Sequence, residues 1–142
     1  MSSRPIYSST YRVYWSETDA ALMMHFSNFF RVCERVEEEF FWTLGLRFDP
    51  HSDIIFPRVH ASCDYRSPLH PGDAYRVDLV EILVGKSSIT YRYRFYNESR
   101  GGRLAAECTI VAVAYDRRTG RSIEVPGELR KLLLEKGAKP KS

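Results

Sequence analysis

Apolar side chains recur at even spacing from Tyr7 to Trp15, with Tyr11 and Val13 in the series and Arg12, Tyr14 and Ser16 between them. That period predicts a first strand over about residues 6–16. From His25 the period lengthens. Phe26, Phe29, Phe30, Cys33, Val36, Phe40 and Leu44 mark one stripe, while Arg31, Glu34, Arg35, Glu38 and Glu39 mostly mark the other. This is the signature of an amphipathic helix about five turns long, stopped near Gly45. Its apolar face is heavy with Phe, so other structure must wrap it closely.

Four more strands follow a loop at Asp49-Pro50-His51-Ser52. The first spans about Ile54 to Tyr65, with Val59, Ala61, Cys63 and Tyr65 on one face and Arg58, His60, Ser62 and Asp64 on the other. Ser67-Pro68 ends it. A second runs from Ala74 to Val84 after Pro71-Gly72-Asp73, and Gly85-Lys86 suits a tight turn into a third, Ser88 to Tyr96. Gly101-Gly102 marks another hairpin, and the last strand covers Leu104 to Tyr115. Pro126 then opens a short helix through about Glu135. Strand, long helix, four antiparallel strands and short helix make an α+β layout. The simplest packing is a five-stranded antiparallel sheet wrapped around one long central helix. Its unpaired edge strands invite a second copy, so a homodimer is expected.

A chain of 142 residues with 44% hydrophobic and 27% charged residues fits one globular domain over 1–142. The net charge of +3 is carried by residues 128–142, where Arg130, Lys131, Lys136, Lys139 and Lys141 face Glu128 and Glu135. The remainder balances, so no whole-domain field draws nucleic acid or membrane. Residues from about 137 to 142 read as a loose basic tail. Cys33, Cys63 and Cys108 are odd in number, far apart and free of C-x-x-C spacing, which reads as small buried thiols in a reducing compartment. No apolar segment follows Met1-Ser-Ser-Arg-Pro, and the longest apolar run, Ile110 to Tyr115, is too short to span a bilayer. A cytoplasmic protein is expected.

The chain contains no G-x-S-x-G, P-loop, G-x-G-x-x-G or paired-cysteine zinc motif. His60-x-x-Cys63 points to opposite faces of a strand, so no metal is expected. The informative stretch runs from Trp15 to Phe30. It places Asp19 in the irregular segment between a strand end and the start of a buried helix. The first amides of a helix lack intrahelical acceptors and carry the positive end of its dipole, so a carbonyl oxygen or oxyanion can bind there. A carboxylate beside them can attack that carbonyl or activate a water, which together make an acyl-transfer or hydrolysis site without a serine triad. The same position also suits an Asp that only caps a turn.

The segment Glu17-Thr18-Asp19-Ala20-Ala21-Leu22-Met23-Met24-His25-Phe26-Ser27-Asn28-Phe29 resembles the signature of the hotdog-fold acyl-CoA thioesterases. The branch in question includes the 4-hydroxybenzoyl-CoA thioesterases and bacterial short-chain acyl-CoA relatives. The likeness continues through Glu34-Arg35, Asp64-Tyr65-Arg66-Ser67-Pro68, Gly72-Asp73 and Val125-Pro126. It implies a hotdog fold that hydrolyses an acyl-CoA to free acid and CoA, as a homodimer or a tetramer of dimers, with no cofactor. Asp19 matches the family's carboxylate, nucleophile or general base. The main-chain N–H of Phe26, with that of His25, matches the oxyanion donor. Glu34 falls where relatives place a residue facing the acyl pocket, or is a solvated charge paired with Arg31 or Arg35. His60 either lines the pocket near the helix start or is a structural, hydrogen-bonded residue.

Two positions depart from the family pattern. Glu17 replaces the first Asp, and Leu22 replaces a Gly that gives the loop an unusual backbone, which implies a reshaped loop. With Met23 and Met24 beside it, the mouth of the site is expected to be apolar and pliable, Met24 contacting an aliphatic or bulky acyl group. The Leu22 exchange also keeps open a non-catalytic hotdog module that binds acyl-CoA. Tyr91-Arg92-Tyr93-Arg94-Phe95-Tyr96 suggests a stacking platform for single strands, but alternation separates aromatics from arginines onto opposite faces, so no nucleic-acid partner is expected. Those arginines remain candidates for CoA phosphates across a dimer interface.

Overall fold

The computed structural model describes residues 4–141. Its elements are β1 (Tyr7–Arg12), a 3-10 turn at Trp15–Glu17, α1 (Phe26–Thr43), β2 (Ile54–Ile55), β3 (Arg58–Tyr65), β4 (Ala74–Val84), β5 (Ser88–Asn97), β6 (Arg103–Val113), β7 (Tyr115–Asp116), β8 (Arg121–Ser122), α2 (Gly127–Glu135) and β9 (Lys139–Pro140). The main sheet has the order β1-β4-β5-β6-β3, these five strands antiparallel, with β9 added in parallel to β4, and it wraps α1 as the alternation predicts. β2, β7 and β8 form a separate small sheet.

α1 buries Phe29, Val32, Cys33, Val36, Glu37 and Phe40. The stripe meets the inner face of the sheet, where Tyr75, Val77, Tyr91, Tyr93 and Phe95 are all at most 1% exposed. Phe29 packs against Phe95 with ring centroids 5.0 Å apart. Arg92 and Arg94 point the other way into solvent, held to Glu81 at 3.4 Å and Glu107 at 3.3 Å. Both glycines of the β5–β6 turn take left-handed backbone, Gly101 at φ 73° and Gly102 at φ 74°, as that hairpin requires.

Several expectations are corrected. The first strand ends at Arg12, because the Glu17 carboxylate takes the Tyr14 amide at 2.8 Å and turns the chain. Trp15 is left 72% exposed. The strand expected over 54–65 is split at Phe56-Pro57, where proline removes a ladder donor, and β2 leaves for the small sheet. The tail is not loose: β9 pairs in parallel with Leu83 and Val84 of β4, Ala138 is buried, and the Lys141 amide donates to the Val84 carbonyl at 2.9 Å. Cys63 and Cys108 are not separate thiols, because the β3–β6 register puts them opposite each other and they form a disulfide. Cys33 alone remains free, buried in the core, where desolvation pushes its thiol far up. Among the described residues no helix is long and apolar enough to cross a membrane.

Candidate active site

The chain between β1 and α1 folds back on itself as a small hairpin. The Asp19 amide donates to the Met23 carbonyl at 3.0 Å and the His25 amide to the Glu17 carbonyl at 2.9 Å, with Thr18 and Met24 bridged between them. The register therefore sets Asp19 beside the residues that enter α1. At the tip the Leu22 amide donates to the Asp19 carbonyl at 2.9 Å, and the Asp19 carboxylate accepts from the Ala21 amide at 2.9 Å. Asp19 thus makes the turn-capping bond that its position suggested. Only Oδ1 is committed to that bond, and the side chain is half-buried.

The helix start is assembled from both sides. His25 is the N-cap: its Nδ1 accepts from the Ser27 amide at 3.3 Å and lies 2.7 Å from Ser27 Oγ. Asn28 Nδ2 donates to the Glu17 carbonyl at 2.8 Å, tying the first turn of α1 to the hairpin. Because the His25 amide is spent on Glu17, it is not an oxyanion donor, which corrects that expectation. The Phe26 amide, by contrast, donates to no protein acceptor among the described residues. Phe26 itself is 59% exposed. From β3, the Tyr65 hydroxyl donates to the Phe26 carbonyl at 3.1 Å, and its ring stands edge-on to Phe29 at 5.0 Å.

The other expected residues scatter. Met24 is not at the mouth: it is 5% exposed, part of the core, with its amide bonded to the Leu69 carbonyl at 2.8 Å. Period two along β3, opposite Val111 of β6, puts His60 on the outer face, away from α1, where Nε2 lies 3.2 Å from Ser62 Oγ. It does not line a pocket at the helix start. Glu34 is exposed on the outer side of α1 and forms no ion pair among the described residues; Arg35 lies instead over the Tyr11 ring at 5.5 Å. A groove of about 720 Å³ between β1 and α1 is lined by Tyr11, Arg12, Glu17 and Arg35, and by none of the expected site residues. Among the described residues no group of three or more His, Cys, Asp or Glu could hold a metal ion.

The model of the Thioesterase-like superfamily matches residues 13–133. The chain belongs to this superfamily. A 1,4-dihydroxy-2-naphthoyl-CoA hydrolase from Thermosynechococcus vestitus is 31% identical over 108 residues, covering 74% of this chain and 73% of that protein. One of the same name from Crocosphaera subtropica is 29% identical over 125 residues, covering 83% and 91%. Among solved structures, a 1,4-dihydroxy-2-naphthoyl-CoA thioesterase from Synechocystis aligns over 91% of this chain and 96% of its own, with TM-score 0.84 and 22% identity. A gentisyl-coenzyme A thioesterase aligns over 87% and 99%, with TM-score 0.76 and 21% identity. The fold is the expected hotdog, and the enzyme class expected from the sequence, a thioester hydrolase, is the one these relatives carry.

Within this thioesterase fold Leu22 stands at the tip of the Asp19 hairpin. Leu22 keeps left-handed backbone at φ 58°, and it is the one non-glycine residue with positive φ among the described residues. A side chain there costs about 1–2 kcal/mol, which neighbouring bonds must offset. One is from His70, whose Nδ1 lies 3.2 Å from the Leu22 carbonyl. Sequence reasoning assigned no role to His70, although it sits in the Pro68-Leu69-His70-Pro71-Gly72-Asp73 turn. The ion pair of Glu37 with Arg58, 2.6 Å apart, likewise had no signal in the local sequence. Burial pushes the Glu37 carboxyl above its ordinary value, while Arg58 and the Tyr91 hydroxyl pull it back.

Proposed function

We propose that the protein hydrolyses an acyl-CoA thioester to free acid and CoA, and that its acyl group is a hydroxylated aromatic of the 1,4-dihydroxy-2-naphthoyl kind. One observation carries the reaction: a carboxylate with an oxygen left over, Asp19, sits in a hairpin ending at a helix start whose Phe26 amide has no protein partner among the described residues. The thioester carbonyl accepts from the Phe26 amide, so charge developing on oxygen meets a fixed donor at the positive end of α1. Asp19 either attacks the carbonyl carbon, forming an anhydride that water opens, or takes a proton from the water that attacks. In both routes the thiolate of CoA leaves. The acyl preference rests on the relatives' names and on the exposed apolar side chains of Leu22, Phe26 and Tyr65 around the hairpin.

The working unit we infer is a homodimer joined along β3. That strand ends the main sheet, pairs only with β6 among the described residues, and exposes Val59 at 61% and Tyr65 at 45%. Light scattering on Val59→Lys should show a monomer where the native chain shows a dimer.

The deciding experiment follows CoA release from 1,4-dihydroxy-2-naphthoyl-CoA, benzoyl-CoA and short and long aliphatic acyl-CoA thioesters. Native protein and Asp19→Asn are run side by side. Loss of about 10²–10⁴-fold in kcat in the variant, with acyl-CoA binding retained, supports the assignment. Equal, slow hydrolysis by both proteins across the panel would leave the chain as an acyl-CoA-binding module without turnover.

A further inference from the structure

Leu22 occupies backbone that glycine adopts freely, yet its hairpin is tightly closed. Its own bonds close it, and further bonds hold it from outside. The turn before β4 grips it twice, through the Leu69 carbonyl on the Met24 amide at 2.8 Å and through His70 Nδ1 at 3.2 Å from the Leu22 carbonyl. A carbonyl oxygen only accepts, so His70 Nδ1 carries the proton of this bond.

His70 is itself held. Its amide donates to Asp73 Oδ2 at 3.0 Å, and the Asp73 amide returns to the His70 carbonyl at 3.0 Å. Asp73 is buried and receives Asn97 Nδ2 at 2.8 Å and Arg100 Nε at 3.3 Å. A continuous series of bonds therefore runs from the end of β5 through Asp73 and His70 to the Leu22 peptide. From there the Leu22 amide reaches the Asp19 carbonyl.

We propose that His70 is a positioning residue for the reaction: by holding the Leu22 carbonyl it fixes the left-handed turn that aims the Asp19 carboxylate. This rests on Asp19 acting as the catalytic carboxylate. It assigns His70 a task that a glycine at position 22 would make unnecessary. The donor alone is needed, so an asparagine amide, whose nitrogen can reach the place of Nδ1, should substitute for the imidazole.

The test is steady-state kinetics on His70→Ala, His70→Asn, Leu22→Gly and Leu22→Gly/His70→Ala, with Asp19→Asn in parallel and thermal melts to confirm folding. A displaced reacting group costs up to about a hundredfold, so His70→Ala should lower kcat by about ten- to a hundredfold with KM little changed. His70→Asn should recover most of that loss. In the Leu22→Gly background the same His70→Ala exchange should cost several-fold less, because glycine holds the turn unaided. An equal cost in both backgrounds, or an unchanged kcat in a folded His70→Ala while Asp19→Asn collapses, overturns the positioning role alone. If Asp19→Asn also turns over normally, the catalytic reading falls and this role falls with it.

Discussion

The Tyr65 hydroxyl donates to the Phe26 main-chain oxygen at 3.1 Å, joining the last residue of edge strand β3 to the first residue of α1. The bond orients the peptide group that follows the free Phe26 amide, while the Tyr65 ring packs on Phe29. Tyr65→Phe keeps the ring and removes the donor. It should cost about 0.5–1.5 kcal/mol in urea unfolding and lower kcat, with no change in the fold by circular dichroism. Native kcat in this variant would show that the bond does not shape the oxyanion site.

Glu37 of α1 and Arg58 of β3 form an ion pair, with Glu37 8% exposed. Arg58→Met strands that buried charge and should destabilise the protein by about 3–5 kcal/mol at neutral pH. Adding Glu37→Gln should return most of the loss. The Glu37 carboxyl titrates above its ordinary value because of burial, so the Arg58→Met deficit should shrink as the pH is lowered and Glu37 takes up a proton. Denaturation midpoints at neutral and mildly acid pH check the sign.

Asp73 behaves in the opposite sense. Burial raises its carboxyl, but the His70 amide, Asn97 and Arg100 outweigh this and hold it below the ordinary value. A depressed carboxyl adds stability above its unfolded pKa, and that stability is lost as the pH falls through the folded value. Unfolding free energy should therefore drop with acid below about pH 5, and Asp73→Asn should flatten that part of the curve.

The disulfide between Cys63 and Cys108 closes a loop with a sequence separation of 45 and ties the edge strand β3 to β6. Protein unfolded without reductant should react with one thiol-reagent equivalent, from Cys33, and with three after reduction. Reduction should lower stability by about 2–4 kcal/mol. Three reactive thiols before reduction would remove the cross-link from the native protein.

The periodicities alone determined the helix, the five main strands and the side of β5 that faces the core, because burial of an apolar stripe dictates both spacing and partner. Phe29, Val36 and Phe40 on α1 and Tyr91, Tyr93 and Phe95 on β5 illustrate this. The motif from Glu17 to Phe29 likewise located Asp19 in the segment ahead of α1, since that placement is local in the chain, while the hairpin the segment forms appears only in the structure. Contacts between distant segments were not legible there. That the His25 amide is spent on Glu17, that His60 faces away from α1, and that Met24 is sealed into the core all follow from register and closure. The pairing of Cys63 with Cys108, the ion pair of Glu37 with Arg58 and the hold of His70 on Leu22 span 45, 21 and 48 positions. No local pattern encodes such bonds; they exist only once the sheet has curled around the helix and brought the segments into reach.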